Sequence, residues 1–160
     1  MTWTAPATWA ADEVVTAAKM NTHVRDNLKA IGDAWTSYVP SWTATTTNPT
    51  LGNGTLTGKY LQAGKLVIFR IELTIGSTTT AGSGVYSLSL PVATAHSTNA
   101  VLGGGGLFFD TSAANHYMHV PYIAGGAVRL AASAARWTAT VPVAPATDDV
   151  ISVSGSYEAA

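Results

Sequence analysis

The sequence VIFRIELTI at positions 67–75 decides the fold class of this chain. Its odd-numbered positions all carry large apolar residues, whereas Arg70, Glu72 and Thr74 stand between them. Alternation with a period of two places the apolar side chains on one face of a strand and leaves the other face to solvent. The stretch therefore predicts a half-buried β-strand.

Turn signals surround this strand and recur along the rest of the chain, about every 8–12 residues, as in an antiparallel sandwich or jelly roll. Asn53-Gly54 supplies the positive φ angles that a hairpin turn requires, and Gly64-Lys65 marks the next turn. We expect an antiparallel β-sandwich or jelly-roll-like domain over residues 36–160. Its strands are predicted at about 41–47, 55–61, 67–75, 86–90, 99–109, 116–123, 127–132, 136–142 and 149–157. The glycine run 103–106 fits either a strand that another backbone approaches closely or a mobile loop.

The segment 3–35 differs from this pattern and predicts an attachment and oligomerisation unit over residues 1–35. Thr16 is a candidate N-cap, and the helix is expected to run to about Ile31, with Gly32 as its stop. Apolar residues at 3–4 spacing with one asparagine form a narrow seam that favours a partner helix, and a trimeric bundle is predicted. The alternative is that this face lies on the chain's own β domain. The seam consists of Asn21, Val24, Leu28, Ile31 and Trp35.

The first fifteen residues carry Trp3, Pro6 and Trp9 among small residues. Tryptophans on an extended arm are rarely left in water, so we expect them to attach the chain to another protein. The alternative is that they pack on the chain's own β body.

Composition narrows the function classes. Charged residues make up 11% of the chain, and such a surface tolerates permanent burial against copies of itself, which favours an obligate oligomer. With a net charge of −1 and scattered cations, nucleic acid is not an expected partner. No apolar run is long enough for a membrane span, and the first residues lack the pattern of a secretory signal. Without cysteine, thiolate metal sites are excluded.

Catalytic patterns are weak. His116 and His119 are three apart on a predicted strand and should face opposite sides, so we interpret them as surface or interface histidines. Asp148-Asp149 lacks the spacing of a calcium loop and is expected to be a solvated turn. We expect no enzyme activity and no cofactor or metal. Tyr117, Tyr122 and Trp137 are candidate glycan contacts, with core packing as the alternative reading.

Two blocks resemble a known class of proteins. WTAPATWAADEVVTAAKMNTHVRDNL at 3–28 resembles the start of many small tail, fibre and other virion proteins of bacteriophages that infect actinobacteria and related hosts. YVPSWTATTTNPTLGNGTLTGKYLQAGKLVIFRIEL at 38–73 resembles the first strands of a β domain in the same kind of protein. The resemblance covers about residues 1–75 and implies a structural role in a virion.

These observations together predict a homotrimeric tail-associated fibre or tip protein that contacts the host surface. The alternative is a capsid spike or decoration protein that stabilises the head or adheres non-specifically. Its expected partners are copies of itself, other virion proteins reached through the arm, and a host cell-surface glycan. Its expected location is the tail or head surface of the virion, after synthesis in the host cytoplasm.

Overall fold

The computed structural model describes residues 3–132 and 135–160, and this part of the chain is mainly β. Eleven antiparallel strands are present in it. They are β1 (Thr36–Tyr38), β2 (Trp42–Ala44), β3 (Thr55–Ala63), β4 (Leu66–Thr74), β5 (Tyr86–Ser89), β6 (Ala100–Val101), β7 (Gly103–Asp110), β8 (Asn115–Ala124), β9 (Ala127–Ala132), β10 (Ala135–Arg136) and β11 (Val150–Glu158).

A single helical segment precedes the strands. It consists of α1 (Ala17–Met20), a π-helical turn (Asn21–Arg25) and α2 (Asp26–Gly32), which follow one another without a gap. The hydroxyl of Thr16 caps its start by accepting from the backbone N–H of Lys19. Helix α2 contacts β3, and Asn27 and Ala30 are its buried residues.

The strands form one curled sheet in the order β1-β3-β4-β11-β7-β8-β9-β5-β2, with β6 and β10 at the side. Strands β1 and β2 lie at opposite ends of this order, yet only residues 39–41 separate them in the chain. A link this short spans roughly 14 Å at most, so the sheet has to curl until its two edges come close together.

The sheet bends at strand β8. Its first half pairs with β7 from Asn115 to His119, and its second half pairs with β9 from Val120 to Ala124. The inner surface of the curled sheet encloses a single core cluster. One side of the core is rich in Trp42, Tyr86 and Trp137, whose rings contact one another, and the other side contains Phe69, Phe108 and Tyr157.

The alternation that predicted the strand at 67–75 is confirmed, since the odd-numbered residues of β4 are buried and the even-numbered ones face outward. The strand predicted at 136–142 is wrong beyond Arg136, because only isolated bridges at Thr138 and Val141 follow. The glycine run is a strand rather than a loop. A Cβ at Gly104 would lie 2.0 Å from the carbonyl oxygen of Ser154, so β11 approaches β7 as closely as only glycine allows.

Candidate functional site

A groove of about 590 Å³ crosses the outer face of the sheet between β3, β4, β11, β7 and β8. Small side chains form its middle, with Ser152 and Ser154 on β11 beside Gly105 on β7. Among the described residues, no atom lies within 4 Å of the position where a Cβ of Gly105 would stand, so the groove is open above this glycine. Its volume falls in the range of small-ligand sites, about 300–1,000 Å³.

Charged side chains line one side of the groove. Lys59 on β3 and Arg70 on β4 are direct cross-strand partners, and Glu72 is two residues further along β4 on the same face. All three are exposed. The other side of the groove is apolar, because Leu107 and Met118 are cross-strand partners on β7 and β8.

The aromatic ring of Trp35 connects this face to the helical segment. The guanidinium carbon of Arg70 lies 5.5 Å from the centre of the Trp35 ring, which is within the range of a cation–π contact. Trp35 is therefore not free, although 42% of its surface stays exposed.

Apart from Trp35, the residues of the predicted helical seam are exposed rather than packed on the chain's own sheet. Val24, Leu28 and Ile31 are 38%, 64% and 55% exposed, and Asn21 is also exposed. The buried residues of α2 are Asn27 and Ala30 instead. The π-helical turn at Asn21–Arg25 changes the phase of the helix between the first and second halves of the seam. No residue spacing in the sequence predicted this turn.

The N-terminal arm is held by its own helix. The Asn27 side chain accepts from the N–H of Thr4 at 3.0 Å and donates to its carbonyl oxygen at 2.8 Å. The Trp3 ring lies at the β3–β4 turn, 3.8 Å from where a Cβ of Gly64 would stand, and is 39% exposed. Part of the arm thus packs on its own chain, while Pro6 is exposed and Trp9 is half-buried.

The three aromatic residues predicted as glycan contacts have different surroundings. The prediction of a glycan contact is wrong for Trp137, because its side chain is 1% exposed and stacks on Trp42 with ring centres 6.1 Å apart. Tyr117 is half-buried and packs edge-to-face against Phe108. Tyr122 is half-buried on the second half of β8. Packing in the core therefore accounts for the position of Trp137 and for most of the contacts of Tyr117.

Two buried polar residues were not identified correctly from the sequence. His116 and His119 do face opposite sides of β8, but His119 is buried, and within the part of the chain that the structure describes neither of its ring nitrogens has a hydrogen-bond partner. Burial lowers the pKa of His119. Asp149 is fully buried rather than solvated, and its carboxylate accepts from the N–H groups of Thr111 at 2.9 Å and Ala146 at 2.8 Å.

Among residues 3–132 and 135–160, no cluster of three or more His, Cys, Asp or Glu side chains is placed to hold a metal ion. The same residues contain no helix with the length and apolar character needed to cross a membrane. Comparison with protein-family models, curated proteins and solved structures gave no match to this chain.

Proposed function

We propose that this chain is a structural protein of a bacteriophage particle, in which it forms a homotrimer and attaches through its N-terminal arm. The observation that carries the proposal is the exposed apolar stripe of Val24, Leu28 and Ile31 on the helical segment. Exposed stripes of this kind mark protein interfaces. The resemblance of residues 1–75 to virion proteins supplies the biological setting.

The assembly test measures the oligomeric state by light scattering coupled to size exclusion. We expect a trimer for the natural chain and a monomer after the double change Leu28→Glu and Ile31→Glu, because burying carboxylates in an apolar interface is costly. Val39→Glu is the matched control, since Val39 is 84% exposed but lies between β1 and β2, away from the helix. A natural chain that stays monomeric at micromolar concentration would refute the trimer.

Within the particle, we favour a tail-associated fibre or tip protein over a capsid spike or decoration protein. Imaging of intact particles that carry a labelled copy of the chain separates these two locations. Deleting residues 1–15 tests attachment, because it removes both arm tryptophans and leaves the helical segment and the sheet in place. The truncated chain should fold and assemble yet fail to join the particle. Normal incorporation would mean that the arm is not the attachment element.

A further inference from the structure

The groove on the outer face contains a pair of neighbouring cations, Lys59 and Arg70. Lys59 and Arg70 stand directly opposite each other on neighbouring strands, and like charges in that arrangement destabilise a sheet. Within the part of the chain that the structure describes, neither side chain takes part in an ion pair. The contact with Trp35 orients the guanidinium without neutralising it.

The rest of the lining restricts the kind of anion that fits. The hydroxyls of Thr57, Ser152 and Ser154 offer donors and acceptors along the groove. The Glu72 carboxylate accepts hydrogen bonds from hydroxyl groups and repels an anionic group placed directly beside it. Leu107 and Met118 provide an apolar wall opposite the charges. A bare inorganic anion would leave the Glu72 carboxylate and the apolar wall unused.

We propose that this groove binds an acidic saccharide. An anionic group on the sugar chain would lie between Lys59 and Arg70 and accept hydrogen bonds from both. Such charge-assisted hydrogen bonds are stronger than those between neutral groups. Hydroxyl groups of the sugar would donate to Glu72 and exchange hydrogen bonds with the serines of β11, and the C–H face of a ring would rest on Leu107 and Met118. This site differs in place and chemistry from the aromatic glycan contacts that the sequence suggested.

The probes are trigalacturonate, neutral maltotriose and inorganic phosphate, each titrated into the full chain and followed by amide chemical shifts. Trigalacturonate should shift the amides of Gly105, Ser152 and Ser154 and bind about tenfold more tightly than either other probe. Its binding should weaken with added salt, because a charge pair in an open groove is screened. Equal binding of maltotriose would refute the role of charge, and equal binding of phosphate would leave an anion site without sugar recognition. No shift with trigalacturonate would overturn the proposal.

Variants test which residues hold the anion. Lys59→Gln combined with Arg70→Gln should reduce trigalacturonate binding about tenfold, as expected when two solvent-exposed charge contacts are removed. Lys65→Gln is the matched control, because Lys65 is an exposed lysine in the turn of the same hairpin and lies outside the groove. The double change removes a like-charge repulsion together with the contact of Arg70 with Trp35, so a thermal melt checks that the fold is kept. Undiminished binding by the double variant would place the ligand elsewhere.

A second copy of the chain is the competing occupant of this face. In that case Lys59→Gln alone, which keeps the contact of Arg70 with Trp35, would change the oligomeric state measured by light scattering, whereas a saccharide site leaves it unchanged. The proposal deepens the adhesive role proposed above and takes its biological meaning from it. The two remain separable, because lack of binding removes the groove as a site without affecting the assembly test on Leu28 and Ile31.

Discussion

The ring of Tyr38 fills the space that a side chain at position 58 would occupy. Tyr38 and Gly58 are cross-strand partners on β1 and β3, and a Cβ at Gly58 would stand 2.3 Å from Cε1 of that ring. The ring also meets Tyr60 edge-to-face at 5.8 Å, and its hydroxyl donates to the carbonyl oxygen of Ser89 at 3.4 Å. Tyr38 lies on the edge strand β1, whereas Ser89 belongs to β5, which pairs with the opposite edge strand β2. The hydrogen bond therefore helps to bring the two edges of the sheet together.

The first prediction is that Gly58→Ala destabilises the chain by about 1–3 kcal/mol, the usual cost of overpacking. Denaturant unfolding followed by circular dichroism measures the change. Gly105→Ala is the control, because it makes the same substitution in a strand of the same sheet with no atom within 4 Å of the new methyl group. In a Tyr38→Ala background most of the cost at Gly58 should disappear. Equal costs in both backgrounds would mean that the ring is not the obstacle.

The second prediction concerns Asp149, which connects three parts of the fold. Its carboxylate binds the N–H groups of Thr111 and Ala146, and its carbonyl oxygen accepts from the N–H of Ile75. Asp149→Asn replaces one acceptor oxygen with a donor that faces an N–H group, so we expect a loss of about 1–3 kcal/mol in the free energy of unfolding. Asp148→Asn is the control, because the neighbouring Asp148 is exposed and its replacement should change stability little. Similar losses for both variants would contradict this account.

The third prediction concerns the junction between the arm and the helix. Asn27→Ala removes both hydrogen bonds to Thr4 and a third to the carbonyl oxygen of His23 at 3.1 Å. We expect faster amide exchange in residues 3–10 and easier proteolysis of the arm, with the melting temperature of the sheet nearly unchanged. Asn21→Ala is the control, since Asn21 is exposed on the same helical segment. An arm that stays equally protected in the Asn27 variant would have to be held by its other contacts, which are Trp3 at the β3–β4 turn and the carbonyl oxygen of Ala5, 3.1 Å from Nδ1 of His23.

The sequence predicted the β class and most strands because burial on one face imposes a period of two on a strand. That signal was clear in β4, where each buried residue alternates with an exposed one. It failed after Arg136, where β-forming residues continue but only isolated bridges occur. Residue preference alone does not determine whether a neighbouring strand is available for pairing.

The candidate groove was harder to predict, since it depends on register across five strands. Lys59 and Arg70 are eleven positions apart, and only the hairpin register makes them neighbours. The serines of β11 come from more than eighty positions further along the chain. The burial of His119 also depends on register, because His119 pairs with Gly106 and lies on the same face of β8 as the core residue Ile123.

The last prediction concerns pH. Burial lowers the pKa of His119 in the folded chain below the ordinary value of 6.5, which it regains on unfolding. Between these two pKa values the unfolded chain binds a proton that the folded chain does not bind. The free energy of unfolding should therefore fall as the pH drops below about 6.5, by up to about 1.4 kcal/mol per pH unit from this one group.

His119→Leu should remove this acid sensitivity, because leucine carries no titratable group and no unpartnered nitrogen into the core. Melting temperatures measured between neutral and mildly acidic pH should fall less steeply for this variant than for the natural chain. His116→Gln is the control, since His116 is exposed on the other face of β8 and stacks on Phe109. If His119→Leu does not fold, His119→Gln gives the same comparison with a neutral polar side chain. Parallel pH curves for the natural chain and the His119 variants would show that the buried imidazole does not control the acid response.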